Sequence, residues 1–302
     1  MRADLHVHSY HSGYASHLRF LRARDCYSEP AAVYAAAKAR GMDVVTITDH
    51  DCIDGCLEFL SDRPDADDFF ISEEIECRFP DRPLKVHVAA YDISERIHRE
   101  IQPLRRNAFE AVEYLRSQGV LYALHHPFFF YKGQMPLADY LGAVLPLFPA
   151  FEVRNGTMLR EHNLLVEAIV HEWATSRGSR PVTIGGSDSH TLRGVGTTYT
   201  QVPGSNRHEF LQNLRAGLAR VGGRHGGMLR EAAEIYGVVG RYWASLVGFG
   251  RQELSWPRRS LGLVFSAASL WCEFSPLLVA ALDKRAEGRR LARYRRAWEL
   301  GA

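Results

Sequence analysis

The stretch Asp4-Leu5-His6-Val7-His8-Ser9 places two histidines one residue apart near the start of the chain. Apolar and polar residues alternate from Ala3 to His8, which is the period of a β-strand. Because side chains two residues apart on a strand point to the same face, both imidazoles lie side by side. Imidazole is a common metal ligand, so the pair indicates a metal site at the end of this strand.

Further histidines and carboxylates occur in or directly after later predicted strands. They are His50 after the run 43–48, Glu74 in 69–75, His87 in 85–91, His126 after 120–124, and Asp188 and His190 after 181–185. In a barrel of parallel strands these positions share one rim, where active sites are built. Imidazole and carboxylate ligands without thiolates suit Zn²⁺, Mn²⁺ or Fe.

Short β-like runs alternate with helix-like runs through most of the chain, which predicts an α/β fold of about seven parallel strands. The pattern changes after the glycine-rich segment 222–227, and the remainder reads as helical. We therefore expect a barrel domain over residues 1–225 and a small helical extension over residues 226–302.

Four motifs together resemble the PHP family, the polymerase and histidinol phosphatase domain. They are Asp4-Leu5-His6-Val7-His8-Ser9, Ile47-Thr48-Asp49-His50-Asp51, His126-Pro127 and Gly186-Ser187-Asp188-Ser189-His190. The resemblance covers roughly residues 1–200. It implies a distorted (β/α)7 barrel, related to the TIM barrel, with a site of two or three metal ions that hydrolyses phosphate esters.

The resemblance also implies which residues bind each metal. The first metal takes His6, His8, Glu74 and Asp188, the second shares Glu74 and adds His87 and His126, and the third takes His50, His190 and one more ligand. Members of the family usually supply that last ligand as an aspartate where this chain has Gly13. We expect His17, rather than His11, to replace it, and the alternative is a two-metal site.

In the mechanism that the resemblance implies, a metal-bound hydroxide attacks phosphorus. His50 or His190 protonates the leaving oxygen, and Asp188 balances the charge of the metals. Asp49 is expected to orient a neighbouring ligand. Arg19 and Arg22 are candidates for binding the substrate phosphate. The alternative is that they are solvent-exposed arginines of an arginine-rich chain, with no role in binding.

The expected reaction is hydrolysis of a phosphomonoester of a small molecule or nucleotide. Degradation of short single-stranded oligonucleotides is the alternative, and Phe128-Phe129-Phe130-Tyr131 would then stack on bases or otherwise form the wall of a small pocket. A non-catalytic metal-binding scaffold is a third possibility, supported only by Gly13. Hydrolysis of a carbon–nitrogen bond is disfavoured, since no lysine follows a predicted strand in a matching motif.

Composition is that of an ordinary globular protein, with 46% apolar residues, 24% charged residues and a net charge of +2. A charge this small does not indicate nucleic-acid binding. Scattered cysteines and the lack of an apolar leader predict a cytoplasmic protein. The apolar run 261–282 contains Glu273 and Pro276, which favours buried helices or a homo-oligomer interface over membrane insertion.

Overall fold

Strands and helices alternate as far as residue 223, and helices alone follow. A computed structural model describes residues 1–15, 20–179, 182–251, 254–269 and 275–300. The strands in these residues are β1 (Arg2–Ala3), β2 (Ser72–Arg78), β3 (Lys85–Tyr91), β4 (Leu121–Leu124), β5 (Ala150–Asn155), β6 (Val182–Gly186), β7 (Thr198–Gln201) and β8 (Arg220–Gly223). The helices are α1 (Pro30–Ala39), α2 (Asp54–Asp62), α3 (Glu95–Leu104), α4 (Ala108–Ser117), α5 (Leu137–Val144), α6 (Arg160–Ser176), α7 (Arg207–Arg215), α8 (Met228–Leu246), α9 (Trp256–Ser269) and α10 (Ser275–Glu299). The α/β class is confirmed.

β2 to β6 form one sheet in which each strand pairs with the next along the chain. β4, β5 and β6 are parallel, whereas β3 is antiparallel to both β2 and β4. The prediction of parallel strands throughout is therefore wrong for β3. Residues 79–84 connect β2 to β3 and are too few for the crossover that a parallel pair requires. As a result, His87 lies near the start of its strand.

Two segments, 4–8 and 43–50, lie between β6 and β2 without forming continuous strands. Val7 bridges Ser189, just after β6, and His50 bridges Glu74 of β2, both in parallel orientation. The two segments meet where the Thr48 amide donates to the Val7 carbonyl at 2.8 Å. These contacts bring the polar ends of the segments to one edge of the fold.

β1, β7 and β8 form a separate antiparallel sheet of three strands. The sequence did not reveal β7 and β8, because each has only four residues and β8 ends in Gly222-Gly223, which have low β-propensity. Two helices, α3 and α4, lie between β3 and β4. α3 ends at Leu104, and Asn107 caps α4 by accepting from the Phe109 amide at 3.1 Å.

The largest apolar cluster joins the five-stranded sheet to helices α3 to α6, with Val88, Leu115, Phe151 and Val166 among its members. Burying each large aliphatic or aromatic side chain contributes about 1.5–3 kcal/mol. Leu291 and Tyr294 of α10 belong to the same cluster. The last helix is therefore anchored in the core of the α/β layers.

α8 and α10 pack against each other, and α10 also contacts α5 and α6. The Tyr294 hydroxyl donates to the Tyr131 carbonyl at 2.9 Å, and Glu287 accepts from the Leu159 amide at 3.0 Å. α9 leaves Leu261 and Val264 exposed. Among the described residues, every helix is too short or too polar to cross a bilayer. Glu273 lies outside the described residues.

Gly186 provides a test of this packing, because a Cβ there would overlap the Cβ and the amide nitrogen of His6. We expect Gly186→Ala to lower the free energy of unfolding by about 1–3 kcal/mol, since backbone atoms must move. Urea denaturation measures the change. Gly142 is the matched control, because it is exposed in α5 with nothing near an added Cβ. Gly142→Ala should raise stability by about 0.5–1 kcal/mol. Equal effects at the two sites would contradict the packing described.

Candidate metal centre

Glu74 of β2 is fully buried and lies among imidazoles. Its Oε1 is 2.9 Å from Nδ1 of His87 and of His125, and 3.2 Å from Nε2 of His6 and of His126. Its Oε2 is 2.9 Å from Nδ1 of His50 and 3.7 Å from Nε2 of His8. Burial would raise the pKa of Glu74, but the imidazoles, led by that of His87, hold it well below its ordinary value. The carboxylate is therefore ionised.

Asp188 supplies a second carboxylate beside the first pair of histidines. Its Oδ1 lies 3.4 Å from Nε2 of both His6 and His8. Its Oδ2 accepts from Asn155 Nδ2 at 3.1 Å and from the Thr157 hydroxyl at 2.9 Å. The backbone of Asp188 is left-handed, with φ 50°, a conformation that costs about 1–3 kcal/mol away from glycine. Such strain is typical of functional sites.

Hydrogen bonds fix which nitrogen of His6 and His8 carries the proton. His6 Nδ1 faces Glu152 Oε1 at 2.9 Å, and because an ionised carboxylate only accepts, Nδ1 donates. His8 Nδ1 lies 2.8 Å from the Ser12 hydroxyl, which itself donates to Asp49 at 2.7 Å. In their neutral forms both imidazoles therefore present a lone pair at Nε2. Asp49 thus acts on His8 through Ser12, in the orienting position that the sequence suggested.

As a consequence, hydrogen-bond acceptor atoms of the imidazoles face acceptor atoms of the carboxylates. The Nε2 lone pairs of His6 and His8 point towards ionised oxygens of Glu74 and Asp188, and neither Nε2 has a hydrogen-bond partner among the described residues. Only a proton or a cation between such atoms makes the arrangement stable. Imidazole and carboxylate together are the ligands of Zn²⁺, Mn²⁺ and Fe. The residues present therefore fit a metal centre.

Several groups of ligand atoms lie within 4.8 Å of one another. The groups are His6, His8 and Glu74; His6, His126 and Asp188; His50, Glu74 and His87; His8, His50 and His190; and His6, His125 and Glu152. Because Glu74, His6, His8 and His50 recur, the groups form one continuous cluster.

Asp25 is a member of this cluster that the sequence did not reveal. Its Oδ2 lies 2.9 Å from His190 Nε2 and 3.5 Å from His50 Nε2. The chain reaches this position by folding back on itself after Gly13. Tyr14 bridges Arg24 in antiparallel orientation, and the Asp25 amide donates to the Gly13 carbonyl at 3.2 Å. An acidic side chain thus returns beside the glycine that stands where the family usually has aspartate.

The two histidines considered as replacements are placed differently. His11 Nε2 lies 3.0 Å from Glu58 of α2, so its ring is engaged in an ion pair outside the metal cluster. His17 and Arg19 lie outside the described residues. The ring of Tyr14 lies 5.0 Å from the guanidinium of Arg22, and this ring lines the cavity described below. A phosphate-binding role for Arg22 stays a prediction.

Glu152 and His125 also belong to the buried cluster, although the sequence analysis did not single them out. Glu152 accepts from the His126 amide at 2.8 Å in addition to holding His6. His125 stacks on His6 with ring centroids 3.7 Å apart and lies 2.9 Å from the Tyr91 hydroxyl. A single glutamate inside the apolar run 150–153 was the available signal for Glu152.

Helix α8 supports the segment that carries Asp188 and His190. Glu234 is buried and accepts from the Ser189 hydroxyl at 3.3 Å. Arg230, one turn earlier, donates to the Ser187 carbonyl at 3.4 Å. Arg230 thus contacts the backbone of the residue before Asp188, and Glu234 contacts the side chain of the residue after it. The C-terminal helices thereby contribute to the geometry of the cluster.

The cluster opens into a cavity of about 490 Å³. Asp25, His50, His126 and His190 form part of its floor, and Phe129 and Phe130 form part of one wall. The Phe130 ring packs 4.7 Å from that of His87, while Phe129 is 42% exposed. The opposite wall comes from α6, α8 and α10. His162 of α6 is in this wall and only 1% exposed. It lies one turn into an amphipathic helix, on the inner face.

The sequence profile of the family described as PHP-associated matches residues 170–218. An uncharacterized protein of Methanocaldococcus jannaschii is 29% identical over 129 residues, which are 42% of this chain and 68% of that protein.

Among solved structures, a two-domain protein from Bacteroides vulgatus that contains a predicted PHP-like metal-dependent phosphoesterase superposes with a TM-score of 0.50 at 16% identity, over 78% of this chain and 69% of that chain. A lesion-specific endonuclease from Pyrococcus furiosus matches over 98% of this chain and 91% of its own, at 15% identity and with a TM-score of 0.47.

The α/β fold and its cluster of imidazoles and carboxylates are those of a protein that can bind metal ions. In the profile match over residues 170–218 and in the order of its four motifs, the chain is similar to proteins of the PHP domain family.

Asp25 can be tested in protein stripped of metal by a chelator. Burial would lower the pKa of His190, but the Asp25 carboxylate raises it to about 9. We expect Asp25→Asn to bring that pKa down to the ordinary value of 6.5 or below, as measured by NMR titration of the imidazole ring.

The sign of the stability effect follows from linkage. A raised pKa in the folded state stabilises the protein fully below 6.5, and the effect fades as pH rises through about 9. The difference in unfolding free energy between the wild type and Asp25→Asn should therefore shrink from pH 6 to higher pH. Asp62→Asn, at the exposed end of α2, is the control. A His190 pKa that is unchanged in Asp25→Asn would contradict the pairing.

Proposed function

We propose that the protein is a metal-dependent phosphoesterase, a hydrolase that holds three divalent ions at this centre. The observation that carries the proposal is the set of imidazole lone pairs facing ionised carboxylates with no donor between them. Manganese, iron and zinc all suit these ligands. The opening of the cluster into a cavity supports a catalytic role over that of a scaffold.

Each ion has a proposed set of ligands. The first is held by His6, His8, Glu74 and Asp188, the second by Glu74, His87 and His126, and the third by His50, His190 and Asp25. Asp25 supports a third ion because it supplies the acidic ligand that Gly13 cannot. His17 is not needed as a ligand in this arrangement.

When bound, such ions lower the pKa of water towards neutrality and neutralise charge on the phosphoryl oxygens. The chain's own residues hold the geometry. Glu152 and Asp49 orient His6 and His8, and Asn155 and Thr157 fix one oxygen of Asp188. The proposed role of His50 and His190 as acids requires a free ring nitrogen. Both rings are already paired with carboxylates, which favours their role as ligands.

The size of the cavity favours a small phosphomonoester, including a nucleotide, as the substrate. Pockets for such ligands have volumes of about 300–1,000 Å³, and this one measures about 490 Å³. The helices α6, α8 and α10 close one side of it. A short single-stranded oligonucleotide needs an extended groove, so its hydrolysis is the competing outcome in the assay below.

We further propose that segments 4–8 and 43–50 close the five-stranded sheet into a distorted (β/α)7 barrel, supported by the bridges of Val7 to Ser189 and of His50 to Glu74. Residues 1–225 would form this barrel and residues 226–302 its helical extension. A cytoplasmic location and a homo-oligomer through the C-terminal helices stay predictions.

Asp188→Ala tests the function. Removing this carboxylate should leave the fold intact, strip bound metal and lower kcat/KM for p-nitrophenyl phosphate at least about 10³-fold, because metal and transition-state charge are both lost. Elemental analysis and kinetics with added Mn²⁺ measure the two effects, with Asp62→Asn as the control for charge. Full metal content and activity in Asp188→Ala would contradict the assignment.

The same assay distinguishes the alternatives. Hydrolysis of phosphomonoesters well above that of bis(p-nitrophenyl) phosphate and a short oligonucleotide is expected. The reverse order would replace the proposed phosphatase with a nuclease. Stoichiometric metal binding with no hydrolysis of any of these substrates would identify a scaffold.

A further inference from the structure

One wall of the cavity carries polar side chains that the metal centre does not use. His162 of α6, Glu231 of α8, and Lys284 and Glu287 of α10 come together there. Lys284 is 7% exposed and donates to Glu287 at 2.9 Å, and Glu231 lies 3.5 Å away on its other side. The wall is therefore a polar surface of the cavity, in addition to the metal centre.

His162 presents an acceptor atom in this wall. The amide oxygen of Asn163 accepts from the Asn155 amide at 3.0 Å, while its nitrogen donates to the Asn155 carbonyl at 2.9 Å, so its orientation is fixed. His162 Nδ1, 3.3 Å from that oxygen, must therefore donate. Nε2 is left as a lone pair, and it has no hydrogen-bond partner among the described residues.

The wall also contains hydrogen-bond donors and charges of both signs. Only one of the three Lys284 protons is used in the bond to Glu287. The acids Glu231, Asp283 and Glu287 stand beside the bases Lys284 and Arg290. Neither an anionic nor a cationic ligand is favoured by this mixture. A hydroxyl group fits, because it donates to a lone pair and accepts from an ammonium at once.

We propose that this wall is a subsite for the hydroxyl groups of a polyol or sugar phosphate whose phosphoryl group lies at the metal centre. The proposal rests on the proposed function for the position of the phosphoryl group. His162 accepts from a substrate hydroxyl, and Lys284, held by Glu287 and Glu231, donates to one. A phosphate ester whose alcohol portion has no hydroxyl group at this position leaves the buried acceptor unpaired and therefore binds less tightly. His162 is thus a specificity-determining residue.

Two phosphonates allow binding to be measured separately from catalysis, because they contain no phosphate ester bond to hydrolyse. They are 3,4-dihydroxybutylphosphonate and butylphosphonate, which differ only in two hydroxyl groups. Isothermal titration calorimetry with the metal-loaded protein should show the dihydroxy compound binding about tenfold more tightly. His162→Phe should remove this preference and leave the affinity for butylphosphonate unchanged. His162→Gln, whose amide oxygen accepts, should keep part of it.

His171→Phe, on the exposed side of the same helix, is the matched control and should keep the wild-type preference. If His162→Phe does not fold, Glu231→Leu takes its place and should also reduce the preference. Equal binding of the two phosphonates by the wild type, no binding of either, or an undiminished preference in the folded variant would overturn the subsite. A preference without any phosphatase activity would support the subsite while contradicting the proposed function.

Discussion

The buried carboxylate of Glu74 is the constraint on which the rest of the structure depends. An ionised carboxylate without compensating charge is too costly to bury, so a side chain with no exposed surface requires positive or donor groups on every side. Five imidazoles from four separate parts of the chain surround Glu74. Segments 4–8 and 43–50 do not form continuous strands, and β3 runs antiparallel to its neighbours. Both features bring those imidazoles to one point.

A second layer of acids then determines what the imidazoles can do. Glu152 accepts a hydrogen bond from Nδ1 of His6, and Asp49 acts through the Ser12 hydroxyl, which accepts from Nδ1 of His8. The Nε2 lone pairs of both imidazoles therefore point inward. A cluster so arranged is stable only with protons or cations between its atoms. α8 adds a third layer, since Arg230 binds the Ser187 carbonyl and Glu234 binds the Ser189 hydroxyl, on either side of Asp188. The same C-terminal helices therefore support the centre and form a wall of the cavity above it.

The sequence predicted the class of fold and most of the cluster, because motifs at the ends of strands can be recognised from neighbouring residues alone. The direction of β3 was predicted wrongly, although the short connection at 79–84 indicates an antiparallel pair. The sequence also missed Asp25, since only the fold-back after Gly13 reveals that a residue twelve positions later returns to the same place. His125, Glu152 and His162 were missed because burial depends on partners distant in sequence.

The central claim is that Glu74, Asp188 and Asp25 surround metal ions. Anomalous X-ray diffraction from crystals of the protein loaded with Zn²⁺, recorded above and below the zinc edge, tests it most directly. We expect three peaks, with Glu74 oxygens about 2.0–2.2 Å from two of them and an Asp25 oxygen at that distance from the third. Absence of a peak beside Glu74, or a third ion whose ligands do not include Asp25, would contradict it.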